Sequence, residues 1–278
     1  MTFSLPAYFA RIGYQGAPQP DLATLRQLHL HHSCAIPFEN LDVLLERPIV
    51  LDDDAVFTKL VSAGRGGYCY EQNALFSRAL ETIGFEVQPL AARVMLMQPE
   101  TMPPRTHRLL CVTLEKERWI ADVGFGGLTL TAPVRLDSDA EQLTPHGAVK
   151  IVKTGSDYLL MRQKEQQWLT LYRFDLTMQY AADYLMANHF VSTWPDSHFR
   201  HHLQLARQLP DGRINTLFDT TCTRHGGATQ HQTLSADALY ALLPSGFRLR
   251  LDDPQHGITR TDFRQLIARL ASAKQSLP

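Results

Sequence analysis

No stretch of the chain approaches the roughly 18 consecutive apolar residues of a membrane span, so a membrane protein is not expected. Net charge is scarce as well: 27 Lys and Arg stand against 28 Asp and Glu, a formal balance of −1. Such a chain has neither the basic stripe of a nucleic-acid binder nor the acidic tail of a solvating arm. The four cysteines, Cys34, Cys69, Cys111 and Cys222, are scattered and form no C-x-x-C pair, which argues against a zinc site or a redox dithiol. In a reducing cytosol they are expected to be free thiols. The opening residues, MTFSLPAYFARIGYQG, show no charged region ahead of an apolar core and no cleavage signature. They read as mature sequence of a cytoplasmic protein. Histidine is plentiful, but His29, His31 and His32, like His198, His201 and His202, reach metal-ligand spacing through density alone, and no metal is expected.

What is present is a globular composition, 44% hydrophobic and 20% charged over 278 residues, enough for two or three packed subdomains. Residues 1 to 84 read as mostly helical. Asp21 is placed to cap a helix carrying Leu22, Leu25, Leu28 and Leu30, and DDDAVFTKLVSA forms a second around Val56, Leu60 and Val61. A third starts near Cys69, carries Leu75, Ala79 and Ile83 on one stripe, thickened by Phe76 and Leu80, and ends at Gly84. From residue 85 the period changes to two: FEVQPLAARVML, THRLLCVTLE, RWIADVGF, AVKIVKTG, DYLLMRQ and WLTLYRFDL read as strands of an antiparallel sheet or small barrel reaching about residue 190. The tail reads as a loop-rich stretch (NHFVSTWPDSHF), short strands (GRINTLFDTTCTRH, GFRLRLD) and two helices (SADALYALL, TRTDFRQLIARLAS).

The chemistry gathers around RGGYC, residues 65 to 69. A free thiol has a pKa near 8.5, so only about 3% is thiolate at neutral pH. A helix start offers unpaired N–H groups and the positive end of the dipole, both of which favour a sulfur anion. The glycines permit positive φ and a close backbone approach. Read blandly, Cys69 is a small buried hydrophobe, yet its surroundings, GGYCYEQN, are polar and glycine-rich. A base is available in His107, which opens a strand, and Asp122 lies in the next strand between apolar neighbours, where a buried carboxylate needs a partner. A hairpin turn centred on Lys116–Glu117 puts His107 and Asp122 on one face but sets Asp122 opposite Cys111, roughly 13 Å from His107 at strand rise. Contact between them then requires an irregular hairpin.

RGGYCYEQN, THRLLCV and WIADVGFGG together resemble the arylamine N-acetyltransferase family, known in bacteria also as N-hydroxyarylamine O-acetyltransferases. IPFENLDVLL (36–45) and NHFVSTWPDSHF (188–199) match further characteristic segments, so the resemblance covers nearly the whole chain in order. It implies an α+β fold like that of thiol proteases and transglutaminases: a helical bundle over 1–84, an antiparallel β-barrel over 85–190 and an α/β lid over 191–278. It implies Cys69 as nucleophile, His107 as base and Asp122 as its orienter, with Glu39 paired to Arg65 to brace the cysteine loop. It further implies acetyl-CoA as donor, a ping-pong reaction with arylamines, arylhydrazines or N-hydroxyarylamines in xenobiotic metabolism, and no permanently bound cofactor.

A thiol hydrolase or a transglutaminase-like enzyme with the same triad is the alternative, because acceptor choice lies outside those residues. The Cys69 N–H is the first candidate for an oxyanion donor. Phe125, Phe190 and Val94 are candidate walls for a flat acceptor, with Phe38 and Tyr68 weaker ones; ordinary core is the competing reading. Gly126 and Gly127 let backbone approach the coenzyme's pantetheine arm, or simply form a turn. The segment from about 190 to 278 is the expected shield against water.

Overall fold

The computed structural model describes residues 2–226 and 228–275. The N-terminal helices form where capping residues and apolar spacing predict them. After α1 (Leu5–Ile12), α2 (Leu22–Ala35) begins at Asp21, whose carboxylate accepts the Thr24 N–H at 2.7 Å. A short strand, β1 (Phe38–Glu39), and a single turn, α3 (Leu41–Leu44), fill the stretch between Pro37 and Pro48. α4 (Asp53–Phe57) runs into a π-helical turn, Thr58–Ser62, and α5 (Cys69–Ile83) ends at Gly84 in the left-handed conformation.

The middle of the chain forms β2 (Glu86–Val94), β3 (Arg105–Leu114), β4 (Glu117–Ala121), β5 (Val134–Arg135), β6 (Gln142–Thr144), β7 (Gly147–Thr154), β8 (Asp157–Lys164) and β9 (Gln167–Phe174). They make one eight-stranded antiparallel sheet in the order β5-β4-β3-β2-β9-β8-β7-β6. The sheet curls into a nearly closed barrel. Its two edges are joined through Gln142, which accepts the Arg135 N–H at 2.8 Å and donates to the Arg135 carbonyl at 2.9 Å. Strand alternation divides β3 between two cores. Leu109 and Cys111 point into the barrel with Leu90, Ile120 and Leu171, whereas Leu110 and Val112 point outward to the helices, against Leu75, Phe76 and Leu80.

Next come α6 (Ala181–Thr193), α7 (His198–His201), β10 (Gln204–Gln208), β11 (Ile214–Phe218), β12 (Thr221–His225), β13 (Gln230–Thr233), α8 (Ala236–Phe247) and α9 (Arg260–Gln275). The second sheet is β1-β10-β11-β12-β13, so a strand from the N-terminal region forms its edge beside β10. Two expectations fail here. Much of the supposed loop at 188–199 is helix, because Tyr184, Asn188 and Val191 give α6 one buried face. GFRLRLD is not a strand: Arg248 caps α8 at φ 56, and the Leu249 N–H turns back to the Leu243 carbonyl. The alternation there comes from a helix C-cap that returns Leu249 to the core. Among the described residues no helix is long and apolar enough to cross a membrane.

Candidate active site

Cys69 is the first residue of α5, and the loop before it is held without slack. The Gly67 carbonyl accepts the Glu39 N–H at 3.1 Å, joining the loop to β1. A Cβ on Gly66 would lie 2.3 Å from the Pro37 carbonyl, and one on Gly67 2.5 Å from a Glu71 carboxylate oxygen. These two glycines therefore serve close approach. The positive φ expected of the loop occurs only at Gly64, φ 68. Gln72 adds a buried tie: its amide donates to the Pro37 carbonyl at 2.8 Å and accepts from His32 Nε2 at 2.8 Å.

Beneath the loop lies a sealed group of charges. Arg65 meets Glu39 at 2.7 Å and Asp42 at 3.2 Å; Lys59 meets Asp42 at 2.7 Å and Glu71 at 2.6 Å. Burial opposes each charge, but the Glu71 and Asp42 carboxylates hold Lys59 above the usual lysine range, and Glu39 and Asp42 do the same for Arg65. Glu71 also accepts the Tyr68 N–H at 3.1 Å, fixing the residue before the cysteine. The Glu39–Arg65 pair drawn from resemblance is thus part of a larger cluster. Lys59 and Asp42 escaped sequence reading because nothing in their local pattern marks them as buried.

On the other side of Cys69, His107 Nε2 donates to Asp122 Oδ2 at 2.7 Å. The hairpin that brings them together is regular. Its two-residue turn is Glu115–Lys116, φ 49 and 73, and Leu110 pairs with Ala121. The expected turn was one residue too late, so Asp122 was set opposite Cys111 when it belongs just past the end of the ladder, nearer His107. The irregularity lies on the opposite edge of β3. There the register with β2 slips between Ala92 and Arg93, passing over Thr106. The Thr106 carbonyl stands 3.8 Å from the Cys69 sulfur.

Burial favours a neutral His107, but the charge and hydrogen bond of Asp122, together with the facing Cys69 sulfur, outweigh it and raise the pKa to about 10. Burial likewise works to raise the Asp122 pKa. His107, the Asn73 amide and the Gly124 N–H overcome that and hold the carboxyl below its ordinary value. Both shifts favour the charged forms, an imidazolium beside a carboxylate.

Asn73, one turn beyond Cys69 on the same helix face, is fully engaged with this loop. Its amide donates to Asp122 at 3.0 Å and to the Arg108 carbonyl at 2.7 Å, and its oxygen accepts the Val123 N–H at 3.1 Å. Gly124 lets the two segments touch: a Cβ there would lie 2.8 Å from Cys69 Cα and 3.0 Å from Asn73 Nδ2. Sequence reading passed over both, although both stand in the quoted motifs, and the i, i+4 spacing of Cys69 and Asn73 was the available signal.

Aromatic rings surround the imidazole. Phe125 stands edge-on to His107 with centroids 5.0 Å apart, and Tyr172 is 5.0 Å from His107 and 5.3 Å from Phe125. Val94 pairs across β2 and β9 with Tyr172, on the same face. Phe38 packs against Gly126 and lies 6.1 Å from Phe199, which in turn is 5.9 Å from Tyr68. Gly126 and Gly127 adjoin the second sheet, through a bond from Gln208 to the Gly126 carbonyl at 3.0 Å and through Thr216 beside Gly127. Phe190 lies apart from this group: it is 40% exposed and stacks on Trp194, off the buried face of α6. Phe199 and Tyr172 were missed, since in sequence they cannot be told from core. The site is closed, with Cys69 only 5% exposed.

A family model described as N-acetyltransferase matches residues 21–256. The chain is 51% identical over 271 residues to the arylamine N-acetyltransferase of Escherichia coli K12, with 96% of each chain covered. The chain belongs to the arylamine N-acetyltransferase family. A second member of that family, the arylamine N-acetyltransferase / N-hydroxyarylamine O-acetyltransferase of Salmonella typhimurium, is 49% identical over 96% of each chain. The solved Salmonella arylamine N-acetyltransferase superposes with a TM-score of 0.93 at 48% identity, covering 97% of this chain and 99% of that one. The arylamine N-acetyltransferase of Mycobacterium marinum, solved in complex with CoA, superposes with a TM-score of 0.91 at 34% identity, covering 96% and 99%.

Proposed function

We propose that the protein carries acetyl groups from acetyl-CoA to aromatic amines, hydrazines and N-hydroxyarylamines through an acetyl-Cys69 intermediate. The observation that carries this reading is the 2.7 Å His107–Asp122 bond set against a cysteine at the first position of a helix. The CoA held by the Mycobacterium marinum relative supports the donor, and the printed names of the Escherichia coli and Salmonella relatives support the acceptors.

The reaction closes its own proton cycle. The Cys69 thiolate attacks the thioester carbonyl, and the Cys69 N–H, which has no intrahelical acceptor at the first helical position, donates to the oxyanion. Collapse expels the coenzyme thiolate, which takes the proton from the His107 imidazolium. Acetyl now sits on sulfur as a thioester, close in energy to the one consumed. An aromatic amine is uncharged at neutral pH and attacks directly. His107, now neutral, takes the proton that the amine sheds, and the Cys69 thiolate leaves. Asp122 stabilises the imidazolium at both ends of the cycle and fixes the ring.

Phe125 and Val94 supply walls for a flat acceptor, joined by Phe38. The Gly126–Gly127 backbone lies along the donor's path, and the ionic cluster around Glu39 and Arg65 braces the cysteine loop. The second sheet and its helices keep water from the acetyl-enzyme. A free cysteine nucleophile suits a reducing compartment, which fits a cytoplasmic protein.

The test is product analysis with acetyl-CoA and an aromatic amine. Acetylated amine in amounts matching coenzyme release is expected. Free acetate as the main product, unchanged by added amine, would favour a thiol hydrolase.

A further inference from the structure

His29, on α2, is fully buried, and its Nε2 accepts the backbone N–H of Asp122 at 3.1 Å. A ring nitrogen that accepts carries the lone pair, so the proton sits on Nδ1 and the ring is neutral. Burial enforces this, pushing the pKa down to about 4 against the opposing pull of the Asp122 charge. Nδ1 has no hydrogen-bond partner on any other residue. A buried N–H without such a partner is unfavourable, so packing alone gives no reason for histidine here. The ring does stand edge-on to Phe76, 5.6 Å between centroids, but a phenyl or aliphatic group serves that contact equally well. The one thing histidine gains is a bond to the peptide that carries the carboxylate facing His107.

We propose that His29 is a positioning residue that fixes the Ala121–Asp122 peptide through Nε2 and so aims the Asp122 carboxylate at His107. The β3–β4 pairing ends at Ala121, and His29 takes the first N–H beyond it. Asp122 is then held from two helices at once. Asn73 on α5 grips the carboxylate and His29 on α2 grips the backbone. The neutral ring leaves the Asp122 charge to His107. The titratable groups around His29 are Asp122 and His32, with His107 and Tyr172 around Asp122 and Cys69 beyond His107.

This rests on the reading of Cys69, His107 and Asp122 as the reacting groups, and the experiment separates the two. The rate of cysteine alkylation by iodoacetamide is followed by intact mass and peptide mapping. In the parent protein one fast site at Cys69, absent from Cys69→Ser, is expected. Its absence overturns the triad reading itself. Given that behaviour, His29→Leu is expected to slow both Cys69 alkylation and acetyl-enzyme formation about tenfold. His29→Gln, whose amide oxygen reaches the same N–H, should recover most of both. A merely structural histidine would lower the melting temperature of His29→Leu and leave the alkylation rate of the folded protein where it was, and that result overturns the proposal. Equal losses in the Leu and Gln variants overturn it too. Should His29→Leu not fold, His29→Asn, polar but too short to reach, is compared with His29→Gln in its place. If neither folds while His29→Gln does, the bond is a folding requirement and the positioning role is rejected.

Discussion

Two groups of buried charge flank the start of α5, and they are built on different plans. Below the cysteine loop, the carboxylates of Glu39, Asp42 and Glu71 are paired with Lys59 and Arg65 at 3.2 Å or less, and Arg47 approaches Asp42 at 3.8 Å. Every partner there is a fixed carboxylate or cation, and none is a nucleophile. Above the loop, His107 and Asp122 form a single pair, and the further group facing the imidazole is the Cys69 sulfur. That sulfur is a nucleophile by type, unlike any member of the first group. Ions paired with fixed partners serve rigidity; on the proposed function, a sulfur beside an imidazole serves reactivity. The comparison also explains why strongly perturbed groups near one cysteine need not all be catalytic.

Four changes break or sharpen this contrast. Asp122→Asn should lower turnover by about 10⁴-fold, since a neutral amide neither stabilises the imidazolium nor enforces the ring's orientation; steady-state kinetics, with the folded fraction fixed by an unfolding curve on the same sample, would show a loss of rate beyond the loss of folded protein. Arg65→Met leaves Glu39 and Asp42 without their shared cation and should cost about 3–5 kcal/mol of stability, read from urea unfolding. If the folded fraction of that variant turns over like the parent, the cluster is structural; a loss of rate exceeding the loss of folded protein would merge the two groups. Gly124→Ala inserts a Cβ that would stand 2.8 Å from Cys69 Cα, and a misplacement of that order should lower kcat/KM about 10²-fold with a smaller effect on the melting temperature.

The fourth is a pH dependence, and here His107 and Asp42, one from each group, act in opposite directions. The folded-state pKa of His107 is raised from 6.5 to about 10, so its contribution to stability is fully present below pH 6.5 and is lost as pH rises through 10. Asp42 is depressed below its ordinary 3.8: burial opposes the charge, but Lys59 and Arg65 prevail, so its contribution is present above that value and is lost as pH falls. Unfolding free energies between pH 6.5 and 9.0, below the range in which Lys59 and the buried thiols Cys34 and Cys111 titrate, should therefore decline in the parent and flatten in Asp122→Asn. The acid-side decline due to Asp42 should remain in that variant. A slope between pH 6.5 and 9.0 that survives the substitution would detach it from the His107–Asp122 pair.

Much of this was legible before any coordinates. Asp21 as a cap, the stripe of α5 and the period-two strands carry their own local signals, and so does a cysteine among glycines at a helix start. The carboxylate partner of His107 was legible as a residue but not as a contact. One residue of error in the turn moved Asp122 from beside Leu109 to beside Cys111, and no periodicity argument fixes a turn to that accuracy. Lys59, Asp42, His29 and Phe199 were out of reach for another reason. Each acquires its role from a partner distant in sequence, and a charged or aromatic residue on a helix or loop looks alike whether solvent or a buried partner receives it. GFRLRLD shows the converse: a local pattern can mimic a strand while the backbone follows a helix cap.

The central claim is that one sulfur accepts the acetyl group and then gives it up. Intact mass after mixing with acetyl-CoA alone tests it most directly. The account predicts a gain of one acetyl group, mapped to the peptide containing Cys69, absent from Cys69→Ser and discharged on adding an aromatic amine. No mass gain, or a gain that maps to Cys34, Cys111 or Cys222, would contradict it.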